Sequence, residues 1–245
     1  MEAKAIEKIE QLVKYGIITT VDDVTYSPVE LYPVLYNPRP SVETVRTLKG
    51  FCDFIKEDID GIIAGNAWLI MVRSPTQVDL ISDTGGTDKG RIVLISAEVD
   101  PGLKTFPFEK FLEQEDFNIK IRSLFTPKEE DDFTYVLLYA SKLSGGTTID
   151  TEDDGITQKV GIKQGISGAL VKKENMKPIV KLSPYRTFRE VSQPESDFLF
   201  RVRLTADNIP TVALFEADGG IWINEAMSNI AEYIRENVKD IPVIT

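Results

Sequence analysis

The succession of strand-like segments constrains the fold of this chain most. Residues 67–73, 77–82 and 91–98 are rich in Val, Ile and Leu, and Ser74-Pro75 and the loop 83–90 separate them. Short apolar segments divided by turn residues are typical of consecutive strands with tight connections. We predict that the three segments form an antiparallel meander.

Segments with helical periodicity lie on both sides of this meander. Apolar residues recur every three or four positions in residues 2–15, 41–58, 115–125, 133–140 and 223–238. This periodicity predicts amphipathic helices near both ends of the chain and between the strands. Ser41 is the predicted N-cap of the second helix. A strand is the open alternative for residues 133–140.

Further strand-like segments fill the second half of the chain. They are residues 157–163, 178–183, 186–191, 197–204 and 211–216. Short strands are also expected between residues 17 and 40. We predict an α+β fold with two mainly antiparallel β-sheets flanked by amphipathic helices, including N- and C-terminal helices. The acidic stretch 126–132 suggests a boundary between an N-terminal α+β half, residues 1–125, and a C-terminal β-rich half, residues 126–245, with one continuous domain as the alternative.

The chain contains no histidine, which excludes the commonest catalytic chemistry near neutral pH. Histidine-dependent serine and cysteine triads, histidine-based zinc sites and facial-triad iron sites all require imidazole. The single cysteine, Cys52, lies between Phe51 and Phe54 in a helical pattern, where a thiol acts as a small apolar side chain. We predict a non-enzymatic protein with no cofactor. A hydrolase that uses paired carboxylates is the remaining enzymatic alternative.

The sequence predicts a cytoplasmic protein with no membrane partner. Residues 1–16 alternate charged and apolar residues, so we expect neither a secretory signal nor a membrane anchor there. No segment approaches the roughly 18 apolar residues that a membrane-spanning helix needs. One cysteine cannot form an internal disulfide, which fits a reducing compartment.

Charge is distributed unevenly along the chain. Residues 159–189 hold eight basic residues and one acidic residue, Glu174, so this window carries +7 while the rest carries −18, for a formal net charge of −11. Basic residues interleaved with aromatic ones can bind phosphates and stack on bases. The candidate partner- or anion-binding residues are Lys172, Lys173, Lys177, Lys181, Tyr185, Arg186, Arg189 and Arg201.

Two kinds of partner fit this basic window. Nucleic acid would use the interleaved cations and rings, although repulsion from the acidic remainder weakens binding to a polyanion. A second copy of the chain would instead present acidic surface, such as residues 129–132 or 150–154, in a head-to-tail contact that closes into a ring where the rotation allows. We predict a homo-oligomer, with nucleic acid or a host protein as alternative partners.

An acidic run matches part of a calcium-binding pattern. Asp150, Glu152, Asp154 and Gly155 occupy the first, third, fifth and sixth positions of an EF-hand loop. Gly161 stands at the twelfth position, where the pattern requires glutamate, and the following residues have the pattern of a strand. We predict a solvated acidic turn, with cation binding as the open alternative.

The segment 184–201, Pro-Tyr-Arg-Thr-Phe-Arg-Glu-Val-Ser-Gln-Pro-Glu-Ser-Asp-Phe-Leu-Phe-Arg, resembles a family of uncharacterised proteins encoded by tailed phages and prophages. Residues 153–155 and 214–220 are similar to further segments of that family, and the layout from residue 48 to 117 is similar to the prophage YfdQ-like group of unknown function. The resemblance covers about residues 40–235. It implies a protein that works in the cytoplasm of an infected or lysogenic bacterium. It implies no reaction and no catalytic residue.

The residues of segment 184–201 predict a β-hairpin with its turn at Gln193-Pro194. Phe188, Phe198 and Phe200 would supply core contacts, and its arginines would need carboxylate or phosphate partners. Ion pairs within a hairpin are one interpretation, and a face for anions or subunits is the other. We expect a phage accessory protein that self-assembles and binds a partner through this basic-aromatic segment. A binder of nucleic acid or a nucleotide signal, in phage replication or anti-defence, is the alternative.

Overall fold

The computed structural model describes residues 3–16, 19–21, 24–26, 41–84, 90–143, 148–153, 158–163, 170–207 and 209–245. The helices within these residues are α1 Ala3–Gly16, α2 Leu48–Glu57, α3 Gln114–Leu124, α4 Phe133–Lys142 and α5 Trp222–Asn237. The positions of α3, α4 and α5 confirm three of the predicted helical segments. By its internal contacts the chain divides into two compact units, Met1–Pro40 and Ser41–Thr245.

The first unit contains one helix and a pair of short strands. The strands β1 Thr19–Val21 and β2 Val24–Tyr26 are antiparallel. Apolar side chains on one face of α1 are about half exposed, namely Ile6 at 47%, Ile9 at 53%, Leu12 at 63% and Val13 at 56%. The predicted amphipathic helix is therefore present, and its apolar face meets solvent.

The second unit contains a five-stranded mixed sheet, which we call the first sheet. Its strands are β3 Glu43–Val45, β4 Trp68–Ser74, β5 Gln77–Ser82, β6 Val93–Glu98 and β14 Val243–Ile244. The order is β14-β4-β5-β6-β3, with antiparallel pairing from β4 to β6 and parallel pairing at both edges. This arrangement confirms the predicted meander. The edge strands join it from distant parts of the chain.

Side chains of α2 and α5 pack on the first sheet and form the first core. This core also contains β4, β5 and β6 side chains, together with Phe188 and Val191 from much later in the chain. Cys52 of α2 is 1% exposed, which confirms its predicted core position. Burial raises the pKa of the Cys52 thiol to about 11, so the thiol stays protonated and unreactive near neutral pH.

A second sheet is antiparallel throughout and carries the second core. Its strands are β7 Leu112–Glu113, β11 Ile179–Leu182, β12 Ser196–Leu204 and β13 Pro210–Glu216, in the order β11-β12-β13-β7. Helices α3 and α4 pack on it through a set of aromatic rings that includes Phe117, Tyr139, Phe198 and Phe200. Each fully buried phenylalanine contributes about 1.5–3 kcal/mol of transfer free energy. The burial of Phe198 and Phe200 confirms their predicted core role.

The two larger sheets and their helices confirm the predicted α+β class. A smaller third sheet lies between α4 and β11 in the chain. Its strands are β8 Thr148–Asp153, β9 Gln158–Lys163 and β10 Leu170–Asn175, all antiparallel. Asp150 and Glu152 thus lie in a strand, opposite Gly161 and Lys159, which corrects the predicted acidic turn and excludes an EF-hand loop at these positions. Asp154 and Gly155 lie outside the described residues.

The predicted helix over residues 41–58 is wrong in its first turns. Glu43–Val45 pairs in parallel with β6, and the helix begins only at Leu48. Thr47, rather than Ser41, is the N-cap, and its side chain accepts a hydrogen bond from the Gly50 amide at 3.0 Å. A partner strand fifty residues away therefore overrides the local helical pattern.

The predicted strand over residues 186–191, and with it the hairpin turning at Gln193-Pro194, is also wrong. These residues form an irregular connection that is followed directly by β12. The division at residue 126 stays a prediction. Within the described residues, no helix is long and apolar enough to cross a membrane.

Candidate functional site

The irregular segment between β11 and β12, residues 184–195, joins the two cores, and we call it the junction loop. Phe188 and Val191 insert into the first core, where they are 2% and 9% exposed. Arg186 points the other way, with its guanidinium over the rings of Phe108 and Phe198 beside the second core. The segment that carries the phage resemblance thus begins at a structural junction.

The side-chain amide of Gln193 fixes the path of the junction loop. Its Oε1 accepts hydrogen bonds from the amides of Arg186 at 3.1 Å and Thr187 at 3.4 Å. Its Nε2 donates to the carbonyls of Phe188 at 2.9 Å and Val191 at 3.2 Å. Gln193 is 4% exposed, so backbone groups that a strand would have satisfied are satisfied here by one buried amide.

Two further side chains attach the loop to the elements of the first core. The Thr187 hydroxyl donates to the Pro75 carbonyl at 2.5 Å, in the turn between β4 and β5. A carboxylate oxygen of Glu190 accepts from the amide of Leu48 at 2.9 Å and more weakly from that of Lys49 at 3.4 Å. These amides belong to the first turn of α2, which has no partners inside the helix. Glu190 therefore acts as a cap from a distant part of the chain.

Arg186 is part of the fold. Its Nη1 donates to Glu216 at 2.6 Å and its Nη2 to the Ser196 hydroxyl, while the guanidinium lies 4.0 Å from the ring centre of Trp222. The side chain is only 7% exposed. Burial lowers the pKa of Arg186 from its ordinary value, and nearby carboxylates, chiefly Glu216, oppose the shift, so the guanidinium stays charged.

The junction loop also forms one wall of a cleft of about 270 Å³, which we call the junction cleft. Tyr185, Arg186, Thr187 and Arg189 line this wall, and the opposite wall follows β5 and β6 at their loop ends. The opposite wall consists of Thr76, Val99, Asp100, Pro101, Leu103, Lys104 and Thr105. The cleft therefore lies where the junction loop meets the loops of the first sheet.

Two cations of the junction cleft have no acidic partner in the part of the chain that the structure describes. Arg189 and Lys104 are exposed, and neither lies within ion-pair distance of a carboxylate among the described residues. The Arg189 guanidinium sits 5.3 Å from the ring centre of Tyr185. Asp100, the one carboxylate among the described residues that line the cleft, accepts a hydrogen bond from the Gly102 amide at 2.7 Å. The cleft thus combines free positive charge, an aromatic face, hydroxyls and one acceptor.

The structure brings together only some of the residues predicted from the basic window. Tyr185, Arg186 and Arg189 line one cleft. Lys177 pairs with Asp132 at 2.7 Å, and Lys181 lies 3.6 Å from Glu195. These two lysines are therefore engaged within the chain.

The remaining predicted residues lie elsewhere. Lys172 and Lys173 belong to β10, whose side chains the structure does not describe. Arg201 lies in β12, and its buried Nη1 has no hydrogen-bond partner among the described residues. Lys104 was missed, because a single lysine about 55 residues before the basic window gives no local signal of a shared site.

A larger cavity of about 510 Å³ lies at the C-terminal ends of α2 and α5. Trp68 and apolar side chains such as Ile55 and Ile241 line it, together with Lys56 and Lys239. Lysines near helix C-termini offset the negative end of the helix dipole, so these two have a structural role. The junction cleft, whose cations lack such a role, is the stronger candidate site.

Metal and thiol chemistry find no support in the described parts of the chain. No group of three or more Cys, Asp or Glu side chains there is arranged to hold a metal ion.

The chain matches no family model, and no curated protein or solved structure matches it. Function must therefore be inferred from the arrangement of its own residues.

Proposed function

We propose that this chain is a non-enzymatic accessory protein, encoded by a phage or prophage, that self-associates and binds an anionic ligand in the junction cleft. The observation that carries the binding role is the convergence on one concave site of Lys104 and Arg189, two exposed cations that have no carboxylate partner among the described residues. Phage origin rests on the resemblance of segment 184–201.

Charge supports binding at this cleft. The chain carries a formal net charge of −11, so most of its surface repels anions. Three cations of the basic window already have carboxylate partners: the exposed Lys177 and Lys181 pair with Asp132 and Glu195, and the buried Arg186 pairs with Glu216. Unpaired positive charge concentrated in a cleft is therefore the best place for an anion to bind.

A discrete anionic group fits this arrangement better than a long nucleic-acid strand. Strand binding requires several free cations that follow the phosphate backbone. The engaged lysines of the basic window, Lys177 and Lys181, interrupt such a path. The cleft offers one confined site, which favours a single anionic group.

Self-association is supported by the exposed apolar face of α1. Four side chains on this face, from Ile6 to Val13, are 47–63% exposed, and an amphipathic helix gains stability when such a face is covered. At 100° per residue, Lys8 lies 40° beyond one edge of the face and Glu10 lies 40° beyond the other. In a parallel pair of α1 helices, the edge with Lys8 of each copy meets the edge with Glu10 of the other. A second copy of the chain is therefore the proposed occupant, in a two-fold contact.

Binding of anions is tested by thermal unfolding with inorganic phosphate, pyrophosphate and a glutamate dipeptide at low salt. At least one of these probes should raise the melting temperature of the wild-type chain, since a ligand that binds only the folded state stabilises it. The double variant Lys104→Glu/Arg189→Glu should lose the shift, whereas Lys239→Glu, an exposed lysine of the other cavity, should keep it. No shift with any probe overturns the proposed binding function.

Self-association is tested by native mass spectrometry and light scattering near micromolar concentration. The wild-type chain should form a dimer or a higher oligomer, and Ile9→Asp should dissociate it by placing a charge in the apolar contact. Gln11→Asp, a change on the polar side of the same helix, serves as the matched control. A strictly monomeric wild-type mass of 27.5 kDa contradicts the proposal.

A further inference from the structure

We infer that the ligand of the junction cleft is a nucleoside monophosphate, an inference that rests on the proposed function and narrows it to one class of small molecule. Three groups of residues in the cleft correspond to three parts of such a ligand. The unpaired cations suit the phosphate, Asp100 suits hydroxyl or amino donors, and Tyr185 with Arg189 suits a planar base.

The phosphate end is recognised by charge and by hydroxyl groups. Lys104 and Arg189 supply two positive charges from opposite walls of the cleft. Thr76 and Thr105 are exposed at the same site and add hydroxyl donors, which commonly contact phosphate oxygens. Charge-assisted hydrogen bonds of this type are about twice as strong as neutral ones. The space between these cations and hydroxyl groups therefore favours a compact, highly charged group.

Asp100 distinguishes the cleft from a site for a bare anion. Its carboxylate accepts hydrogen bonds and repels negative charge, so an inorganic anion gains nothing from it. A ligand that carries donors beside its anionic group can satisfy both kinds of residue. Carboxylates bind ribose hydroxyls in this way in other nucleotide sites. The pair of cations and the carboxylate therefore select a phosphorylated molecule with hydroxyl or amino groups.

Tyr185 and Arg189 provide the planar surface. The tyrosine is half-buried, and the arginine guanidinium lies 5.3 Å from the centre of its ring. Bases released from a helix stack on aromatic rings and on guanidinium planes. A sugar phosphate without a base would leave this surface unused. The aromatic side of the cleft therefore favours a nucleotide over other phosphate esters.

Size limits the ligand to a single nucleotide. The volume of about 270 Å³ lies near the lower end of the range for small-molecule sites. An oligonucleotide would extend beyond the cleft onto surface that is acidic or already paired.

Isothermal titration calorimetry at low salt tests the inference on the full chain. The probes are AMP, GMP, CMP and UMP, their nucleosides, ribose 5-phosphate, inorganic phosphate, a glutamate dipeptide and a short single-stranded oligothymidine. At least one nucleoside monophosphate should bind about tenfold or more tightly than ribose 5-phosphate and inorganic phosphate, because stacking on one ring contributes that much. Its nucleoside should bind weakly or not at all.

Variants connect this preference to the named residues. Arg189→Ala should weaken nucleotide binding by about 10- to 100-fold, the expected loss for a charged hydrogen bond together with stacking. Asp100→Asn should reduce the preference for the nucleotide over inorganic phosphate, and Lys239→Ala should change neither affinity. These results together would support a mononucleotide site in the junction cleft.

Three outcomes overturn the inference in distinguishable ways. If phosphate, ribose 5-phosphate or the glutamate dipeptide binds as tightly as every nucleotide, and Lys104→Glu/Arg189→Glu abolishes that binding, the cleft is an anion site of another class and the proposed function stands. If the oligothymidine binds more tightly than any monophosphate, the ligand is a strand. If nothing binds to the wild-type chain, the proposed function fails together with the inference.

Discussion

The junction loop has an inner side that packs against the two cores and an outer side that lines the junction cleft. The same kinds of residue have different roles on the two sides. Arg186 is 7% exposed and donates to Glu216, whereas Arg189, three residues further along the sequence, is exposed and has no carboxylate partner among the described residues. Both arginines contact aromatic rings. The comparison shows that the partner supplied by a distant strand, and not the residue type, decides whether a cation stabilises the fold or remains free for a ligand.

The same contrast holds for the polar groups of the loop. On the inner side, Gln193 makes four hydrogen bonds to the backbone, and Thr187 reaches the turn between β4 and β5. On the outer side, Arg189 is exposed at the junction cleft, opposite the exposed Lys104 and Thr105 of the other wall. Substitutions on the inner side should therefore change stability, and those on the outer side should change binding.

Phe188→Ala should have the largest effect. Phe188 is 2% exposed in the first core, and truncation of a buried phenylalanine costs about 3–5 kcal/mol of unfolding free energy. Urea unfolding measures the loss, and labelling of the buried Cys52 thiol should accelerate as the first core opens more often. Tyr185→Ala, on the outer side, should cost about 1 kcal/mol or less. Equal losses of unfolding free energy in Phe188→Ala and Tyr185→Ala would contradict the distinction between the inner and outer sides of the junction loop.

Arg186→Ala should rank next, at about 2–4 kcal/mol. The change leaves the Glu216 carboxylate without its buried cationic partner, although Glu216 is partly exposed and can regain some hydration. It also removes the packing of the Arg186 side chain against Trp222. A double-mutant cycle with Glu216→Ala should give a coupling energy of about 1 kcal/mol or more, because the two side chains are in contact. Additive losses would show that the pair contributes little and that Arg186 acts through packing alone.

Glu190→Ala should cost about 1 kcal/mol, the usual effect of losing a helix cap. The amides of Leu48 and Lys49 lose their acceptor, and the first turn of α2 loses a favourable negative charge. Glu57→Ala is the matched control, since Glu57 is exposed at the other end of α2, where a negative charge is unfavourable. Chemical denaturation of both variants compares them directly. A larger loss for Glu57→Ala would contradict the capping role.

Arg189→Ala should have the smallest effect on stability, within about 0.5 kcal/mol, as for an exposed residue outside any network. The same variant should lose most of the stabilisation that an anionic ligand gives the wild-type chain. Thermal unfolding with and without the probe separates the two quantities. A large loss of stability without any ligand would place Arg189 on the structural side of the comparison.

Much of the fold followed from local patterns. The meander β4-β5-β6 and the helices α3, α4 and α5 were predictable because periodicity and turn residues agree with their final surroundings. The errors occurred where distant partners decide the backbone. Glu43–Val45 became a strand because β6 pairs with it, and residues 186–191 became a loop because Gln193 satisfies their backbone groups.

The candidate site was only half predictable. Tyr185, Arg186 and Arg189 were found because they are close together in a basic and aromatic stretch. The pattern could not separate Arg186 from Arg189, because their difference lies in Glu216, which β13 brings into contact. Lys104 and Asp100 reach the cleft only through the packing of the junction loop on the loops of the first sheet.

The segments of the first core lie on both sides of the second core in the sequence, which has a consequence for co-translational folding. The strands β4, β5 and β6 precede the second core in the sequence, whereas the helix α5 that covers them and the strand β14 that pairs with β4 follow it. The whole second core is synthesised in between. During synthesis the first sheet therefore has an unpaired edge at β4 and an uncovered apolar face. This exposed surface is where a chaperone would have to bind, and where a chain released too early would aggregate.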